Sequence, residues 1–242
     1  MNRITPPVNP PWRIFDGILI LIIINLVALL FRFSNQEWLF TLVNFLPGGI
    51  TVVNKLLINS IIQTGLFLIM IAYYVFVKYK SGISQLGLVK TKLGFWLRIG
   101  IIHGVVLFFA ITFLGVLINM FFPVKIEPQP VAQAIMKVQN GWEVVVVFLV
   151  VSLFAPVSEE LYFRGFLYPT LRRRLGIKGG IIVTSLIFGG LHLDLIRMIP
   201  LAFGGVWLNW LYERSGSIYT SIMAHSVWNG IMTVLILVPQ LI

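Results

Sequence analysis

The chain of 242 residues has no cysteine. Disulfides, cysteine nucleophiles, thiolate metal sites and prenylation of the chain itself are excluded together. Charge is the next scarcity. Asp, Glu, Lys and Arg supply 11% of the residues, against about 25% in soluble domains. Eight residues are acidic and three are histidine. There is too little polar surface to clothe a water-soluble globule. Intrinsic disorder and fibrous repeats need the opposite bias, so both are excluded as well. No internal repeat or low-complexity tract is visible. No cleavable signal peptide is expected either: Gly17–Phe31 is apolar, but no small-residue cleavage site follows it.

What is present is apolar. Hydrophobic residues make up 58% of the chain, and the mean hydropathy is +0.96. These values predict an all-α, multi-pass transmembrane helical bundle in a cell membrane, with the lipid bilayer as its first partner. A membrane helix needs about 20 mostly apolar residues. Bounded by charges, the candidates are Gly17–Phe31, Leu56–Val77, Ile99–Val124, Val144–Ser158, Gly179–Leu193, Met198–Tyr212 and Ser215–Ile242. Several are short, and snorkelling Lys and Arg side chains extend them. Trp38–Asn54 is interrupted by Pro47, Gly48 and Gly49, which suits a re-entrant or surface-lying segment. The expectation is seven spans, or eight if that segment crosses. Pro6, Pro7, Pro10 and Pro11 predict an extended lead-in.

The formal charge is +10. In a soluble protein such a balance would suggest a nucleic-acid partner. Here basic loops flanking the spans account for it, and no nucleic-acid partner is expected. One loop holds Lys78, Lys80, Lys90, Lys92 and Arg98; another holds Arg172, Arg173, Arg174 and Lys178. Two spans separate them, so both face one side, which the positive-inside rule makes cytoplasmic. The weakly basic stretch near Lys125–Gly141 then faces outside. Seven spans put Arg3 and Arg13 inside as well.

Against this background the ionisable groups within apolar runs stand out, because each costs about 2.5–3.5 kcal/mol to insert. Glu159 and Glu160 are adjacent, and Arg164 follows Glu160 by four residues. That spacing places a charge-assisted pair on one helix face. Glu159 has no such local cation. His192 closes Phe188-Gly-Gly-Leu-His192, and His225 opens His225-Ser-Val-Trp-Asn229. His225 and Asn229, four apart, can face one cavity. His103 reads as a hydrogen-bonded packing residue. Counting 1.5 Å per helical residue from the basic ends puts Glu159 ~20 Å deep, His192 ~21 Å, His225 ~16 Å and Asn229 ~22 Å. Three unbroken helices would thus bring their polar groups to nearly one level.

Such a set suits acid–base hydrolysis. Glu159 and His192 can hold and deprotonate a water. His225 and Asn229 can donate hydrogen bonds to a developing oxyanion. Arg164 would keep Glu160 ionised, and Glu160 could orient a histidine. Other intramembrane protease chemistries lack their motifs. No histidine is followed by Glu, so there is no His-Glu-x-x-His zinc motif. No Gly-x-Ser-Gly occurs, and Asp16 and Asp194 lie outside any Gly-x-Gly-Asp.

Glu159-Glu160-Leu-Tyr-Phe-Arg164, Phe188-Gly-Gly-Leu-His192 and His225-Ser-Val-Trp-Asn229 resemble, in order, the three motifs of the CPBP family. That family comprises type II CAAX prenyl endopeptidases and bacteriocin-processing, Abi-like proteins. The resemblance covers residues 142–238; residues 1–141 match only as hydrophobic spans within one integrated membrane domain. It implies an intramembrane endopeptidase acting on a prenylated or membrane-associated protein or peptide. Glu159 and His192 would activate water, His225 and Asn229 would stabilise the oxyanion, and Glu160 and Arg164 would support the site. Family members are often called metalloproteases, yet the water-activating glutamate mechanism requires no metal. If a metal such as Zn²⁺ is present, Glu159, His192 and His225 are its expected ligands.

Two other readings remain. A proton-coupled transporter also buries Glu, His and Arg, but transporters usually show paired repeats. A non-cutting bacteriocin-immunity or scaffold member of the same family would carry the same spans. Gly189, Gly190, Gly204 and Gly205 are expected to allow close helix contact, or to line a groove.

Overall fold

The structure, a computed structural model, describes residues 6, 9–33, 37–90, 92–123 and 127–241. Arg3, Pro7, Val124, Lys125 and Ile242, used above to place ends and loops, lie outside them. Within the described residues the regular structure is entirely helical, as expected. Helix α1 spans Ile14–Phe33 and α2 spans Glu37–Asn44; α3, Val52–Ala72, runs on through a π-helical turn, Tyr73–Lys78. Helix α4 spans Leu93–Phe121, and α5, Pro130–Ile135, is short. Helices α6 (Gly141–Leu149), α7 (Ala155–Glu160) and α8 (Tyr168–Gly190) are joined by π-helical turns at Val150–Phe154 and Leu161–Leu167. Helices α9 (Leu195–Ser215) and α10 (Ile218–Leu241) complete the chain.

Five helical stretches are long and apolar enough to cross a membrane: Ile14–Phe31, Val52–Lys78, Leu93–Phe121, Gly141–Gly190 and Ile218–Pro239. The protein is an integral membrane protein. The fourth stretch, of 50 residues, contains two of the expected spans. It folds back at Gly176, whose φ of 71° and ψ of 179° leave the helical region. A Cβ on Gly180 would lie 2.9 Å from Arg172 Cα, so the two arms are already side by side there. Helix α9 is 21 residues long but too polar to count on hydropathy, because Arg197, Asn209, Glu213 and Arg214 interrupt it. Trp38–Asn54 forms no helix long enough to cross a membrane. Its helix α2 has eight residues, about 12 Å of rise. Positive φ values at Gly48 and Gly49 then turn the chain, and Thr51 Oγ1 caps α3 by accepting from Asn54 N at 3.1 Å.

One expected span end is displaced. The apolar run Val144–Ser158 continues as helix through Glu159, Glu160 and Arg164, as counting depth from the basic end assumed, and the last two neutralise each other. The run expected to reach Leu193 ends at Gly190, so His192 sits in the turn after α8. The depth estimate assumed a helix there, and the turn removes that premise.

The N-terminal half is packed into the rest. Trp12 is fully buried, stacks on Phe166 at 4.7 Å and donates from Nε1 to Phe166 O at 2.8 Å. Tyr162 Oη donates to Gly17 O at 2.9 Å. Asp16 ties α1 to the end of α3 by accepting from Lys78 Nζ and Tyr79 Oη, both at 2.6 Å. Burial and this carboxylate push the Tyr79 phenol above its ordinary pKa. The lead-in also accepts from the basic loop: Arg173 Nη1 reaches Pro10 O at 3.0 Å.

Helix α10 lies along α4, and two glycines set their separation. A Cβ on Gly104 would stand 2.7 Å from Ala224 O, and one on Gly100 would stand 2.8 Å from Thr220 O. Both obstacles are backbone, which cannot rotate away. Gly104→Val should therefore force α10 outward and cost about 1–3 kcal/mol. Thermal unfolding of the purified variant in detergent checks this; an unchanged melting temperature would refute the close-packing account.

Candidate active site

Helix α7 and its following π-helical turn carry Glu159, Glu160 and Arg164. Helix α8 carries Phe188, the turn beyond it carries His192, and α10 carries His225 and Asn229. Glu160 and Arg164 are wholly buried, and Arg164 Nη1 donates to Glu160 Oε1 at 2.8 Å. A charge pair out of water is tolerable only with further hydrogen bonds. Arg164 Nη2 finds one on α9, donating to Gly205 O at 3.2 Å. Its guanidinium lies 5.0 Å from the Phe188 ring and 5.8 Å from the Phe163 ring, where the negative faces of the aromatics suit a cation.

The same Glu160 oxygen accepts from His225 Nδ1 at 2.9 Å. A carboxylate can only accept here, so Nδ1 carries the proton. That fixes the imidazole and turns Nε2 towards Glu159, whose Oε2 lies 3.9 Å away. The His225 ring is further held by Trp228, stacked at 5.4 Å, and by Phe188, edge-on at 6.0 Å. Glu159 differs from its neighbour: its side chain is 28% exposed. One carboxylate is locked away and the other is accessible, although they are adjacent in sequence.

His192 approaches the set through Phe188, ring to ring at 5.3 Å. Its Nδ1 pairs with Phe188 O at 3.0 Å. Because a carbonyl only accepts, Nδ1 carries a proton, and Nε2 is left without a partner. No ion pair or hydrogen bond joins His192 to Glu159. Asn229 reaches the site by a different route. In the π-helical turn Val150–Phe154, Ala155 N donates five residues back to Val150 O. The next residue, Pro156, has no N–H to offer Val151 O. Asn229 Nδ2 supplies that bond, donating to Val151 O at 3.0 Å. The amide thus pins α10 to the turn that precedes the two glutamates.

Sequence reasoning overlooked three parts of this arrangement. Phe188 was read as motif spacing, yet it touches Arg164, His192 and His225. Asn209, fully buried, donates to Gly205 O at 2.9 Å and Ser185 Oγ at 3.1 Å, bracing the carbonyl that Arg164 uses. An asparagine four residues after a glycine in an apolar run was the available signal. Pro156 leaves the carbonyl that Asn229 fills. Among the glycines, Gly189, Gly204 and Gly205 pack closely, whereas a Cβ on Gly190 would meet nothing within 4 Å. His103 accepts from Trp207 Nε1 at 3.1 Å, away from the site. Among the described residues no three His, Asp or Glu side chains gather as a metal-holding group. Glu159, His192 and His225 do not stand together as such a group.

Residues 141–231 match the family described as "Type II CAAX prenyl endopeptidase Rce1-like". That stretch is under half of the chain, and it is similar to the family. The resemblance carried by the three motifs stands. Across 107 residues the chain is 29% identical to the "Putative membrane peptidase YdiL" of Bacillus subtilis (strain 168). That stretch is 44% of this chain and 43% of the relative, so under half of each protein is compared. No solved structure matches. The matched segment begins at the start of α6 and ends within α10, enclosing every polar group of the site.

The buried pair yields a stability prediction. Arg164→Met leaves Glu160 buried and uncompensated, and should cost about 3–5 kcal/mol. Glu159→Gln, at a part-exposed position, should change stability by less than about 0.5 kcal/mol. Denaturation of both variants in detergent measures the contrast, and equal losses would contradict the different burial of the two glutamates.

Proposed function

We propose that the chain is an intramembrane endopeptidase of the cell membrane, hydrolysing a peptide bond in a prenylated or membrane-associated protein or peptide. The observation that carries this reading is the inequality of the two glutamates. Glu160 is buried and engaged by Arg164 and His225, whereas Glu159 is part-exposed and faces an imidazole 3.9 Å away, beyond direct hydrogen-bond length. A gap of that size suits a bridging water. A positioned carboxylate in a largely desolvated site is a competent general base.

In this mechanism Glu159 and His192 Nε2 take the proton of the attacking water. His225 and Asn229 donate to the oxyanion that forms on the scissile carbonyl. For that, His225 Nε2 must carry a proton, and Glu160 at Nδ1 stabilises the imidazolium. Arg164 balances Glu160. Asn229 has a second amide proton beyond the one given to Val151 O, so it can serve both the turn and the oxyanion. The proton on Glu159 then passes to the departing amine. This reaction needs no metal.

A non-cutting immunity or scaffold role in the same family would require neither the part-exposed Glu159 nor the unpartnered Nε2 of His192. A transporter would move protons through the same groups. Reconstitution in proteoliposomes with prenylated and unprenylated membrane-tethered peptides separates the three. Wild type should cleave, and Glu159→Ala and His192→Ala should each lower the rate by at least about 10²-fold, the usual worth of a positioned acid or base. Cleavage persisting in both variants would refute the mechanism. Proton flux without cleavage would favour transport. Activity should survive exhaustive chelation; loss with rescue by Zn²⁺ would overturn the metal-independent version.

A further inference from the structure

Far from the glutamates, a cavity of about 340 Å³ opens between α1, α2 and α3. That volume is within the ~300–1,000 Å³ range of ligand-holding pockets. Its floor is apolar, with Ile24 on α1 and Leu66 on α3, and its rim carries Phe31 and Trp38. Tryptophan is favoured where hydrocarbon meets headgroups. Two side-chain amides, Asn59 and Gln63, also line it. Both lie inside the spanning stretch Val52–Lys78 and are exposed.

These amides pose a problem. A polar group facing hydrocarbon without a partner is costly. Asn25, on α1, avoids the cost by donating to its own Leu21 O at 2.8 Å. Neither Asn59 nor Gln63 has a hydrogen-bond partner among the described residues. One turn towards the N-terminus of α3 stands Lys55, on the same face, with its ammonium over the Phe40 ring of α2 at 4.6 Å. Reading inward along α3, this face therefore carries a cation, Lys55, one turn outside the cavity, and then the two lining amides, about 6 Å apart at each step, with apolar lining beyond. A glycerophospholipid presents its phosphate, ester carbonyls and acyl chain in that same order.

We propose that this cavity is a binding site for one glycerophospholipid, with its phosphate at Lys55, its ester carbonyls accepting from Asn59 and Gln63, and an acyl chain between α1 and α3. The assignment is independent of the peptidase reading. It rests on complementarity of charge and hydrogen bonding along one helix face.

Native mass spectrometry of the full chain in detergent, with added phosphatidylglycerol, tests it. Wild type should retain one lipid per chain. The double variant Asn59→Leu/Gln63→Leu should retain about tenfold less, the worth of the two lost hydrogen bonds. Both changes raise the apolarity of a helix that already spans, and an unchanged melting temperature confirms the fold. Lys55→Gln should weaken retention of phosphatidylglycerol but not of uncharged diacylglycerol. A second readout uses wild-type sequence in vesicles: phosphatidylglycerol with brominated acyl chains should quench the fluorescence component lost in Trp38→Phe. Equal retention by wild type and the double variant would overturn the proposal. So would retention of diacylglycerol or an isoprenoid alcohol as strongly as phosphatidylglycerol, or absence of Trp38 quenching.

Discussion

The architecture turns on one carboxylate oxygen. Glu160 Oε1 accepts from Arg164 at 2.8 Å and from His225 at 2.9 Å. Through Arg164 the same group reaches Gly205 on α9. Helices α7, α9 and α10 are thereby joined at a point with no access to water. A buried ion pair contributes little net stability, because desolvation offsets attraction. What it supplies here is register. The charges are tolerable only when the three helices sit so that every partner is in reach. Sliding α10 by one residue would move His225 off the carboxylate and leave charge uncompensated in an apolar interior.

This constraint explains how neighbouring glutamates acquire different characters. Successive helical residues point about 100° apart, so only one of the pair can face Arg164 one turn on. Glu160 takes that direction and is consumed by structure. Glu159 is directed to the side where α10 presents His225 Nε2, and it keeps part of its surface exposed. The π-helical turns on either side of α7 matter for the same reason. Such bulges re-aim side chains and are frequent at functional sites. The earlier one, with Pro156 after it, frees the Val151 carbonyl that recruits Asn229.

Much of this was legible because charge is so scarce. In a chain that is 11% charged, the spacing of Glu160 and Arg164 was enough to predict their pair. The apolar runs gave the helical class and most of the spans. Charge bounded the apolar runs, but a neutralised charge does not end a helix, and the one carrying Glu160 and Arg164 runs on through both. The fold-back at Gly176 and the stop at Gly190 are backbone events, and hydropathy does not register them. Phe188 was invisible as a functional contact because an aromatic in an apolar run carries no signal of its own. Its role emerges only when α8 is laid against α7 and α10.

The polar groups of this chain meet the bilayer in distinct ways, and the distinction separates structure from chemistry. Glu160, Arg164 and Asn209 are buried and bonded to other helices, and they fix geometry. Asn25 satisfies itself on its own helix and asks nothing of its surroundings. His103 takes a tryptophan N–H and packs. Glu159 and the Nε2 atoms of His192 and His225 are different: none has a hydrogen-bond partner among the described residues, although both imidazoles are held through Nδ1. A membrane protein cannot leave such capacity idle without cost, since hydrocarbon offers no partner. Positioned but unsatisfied polarity is therefore the mark of a place where something else binds. By that criterion the two proposals, water and a peptide carbonyl at Glu159 and a lipid beside Asn59 and Gln63, rest on the same physical ground.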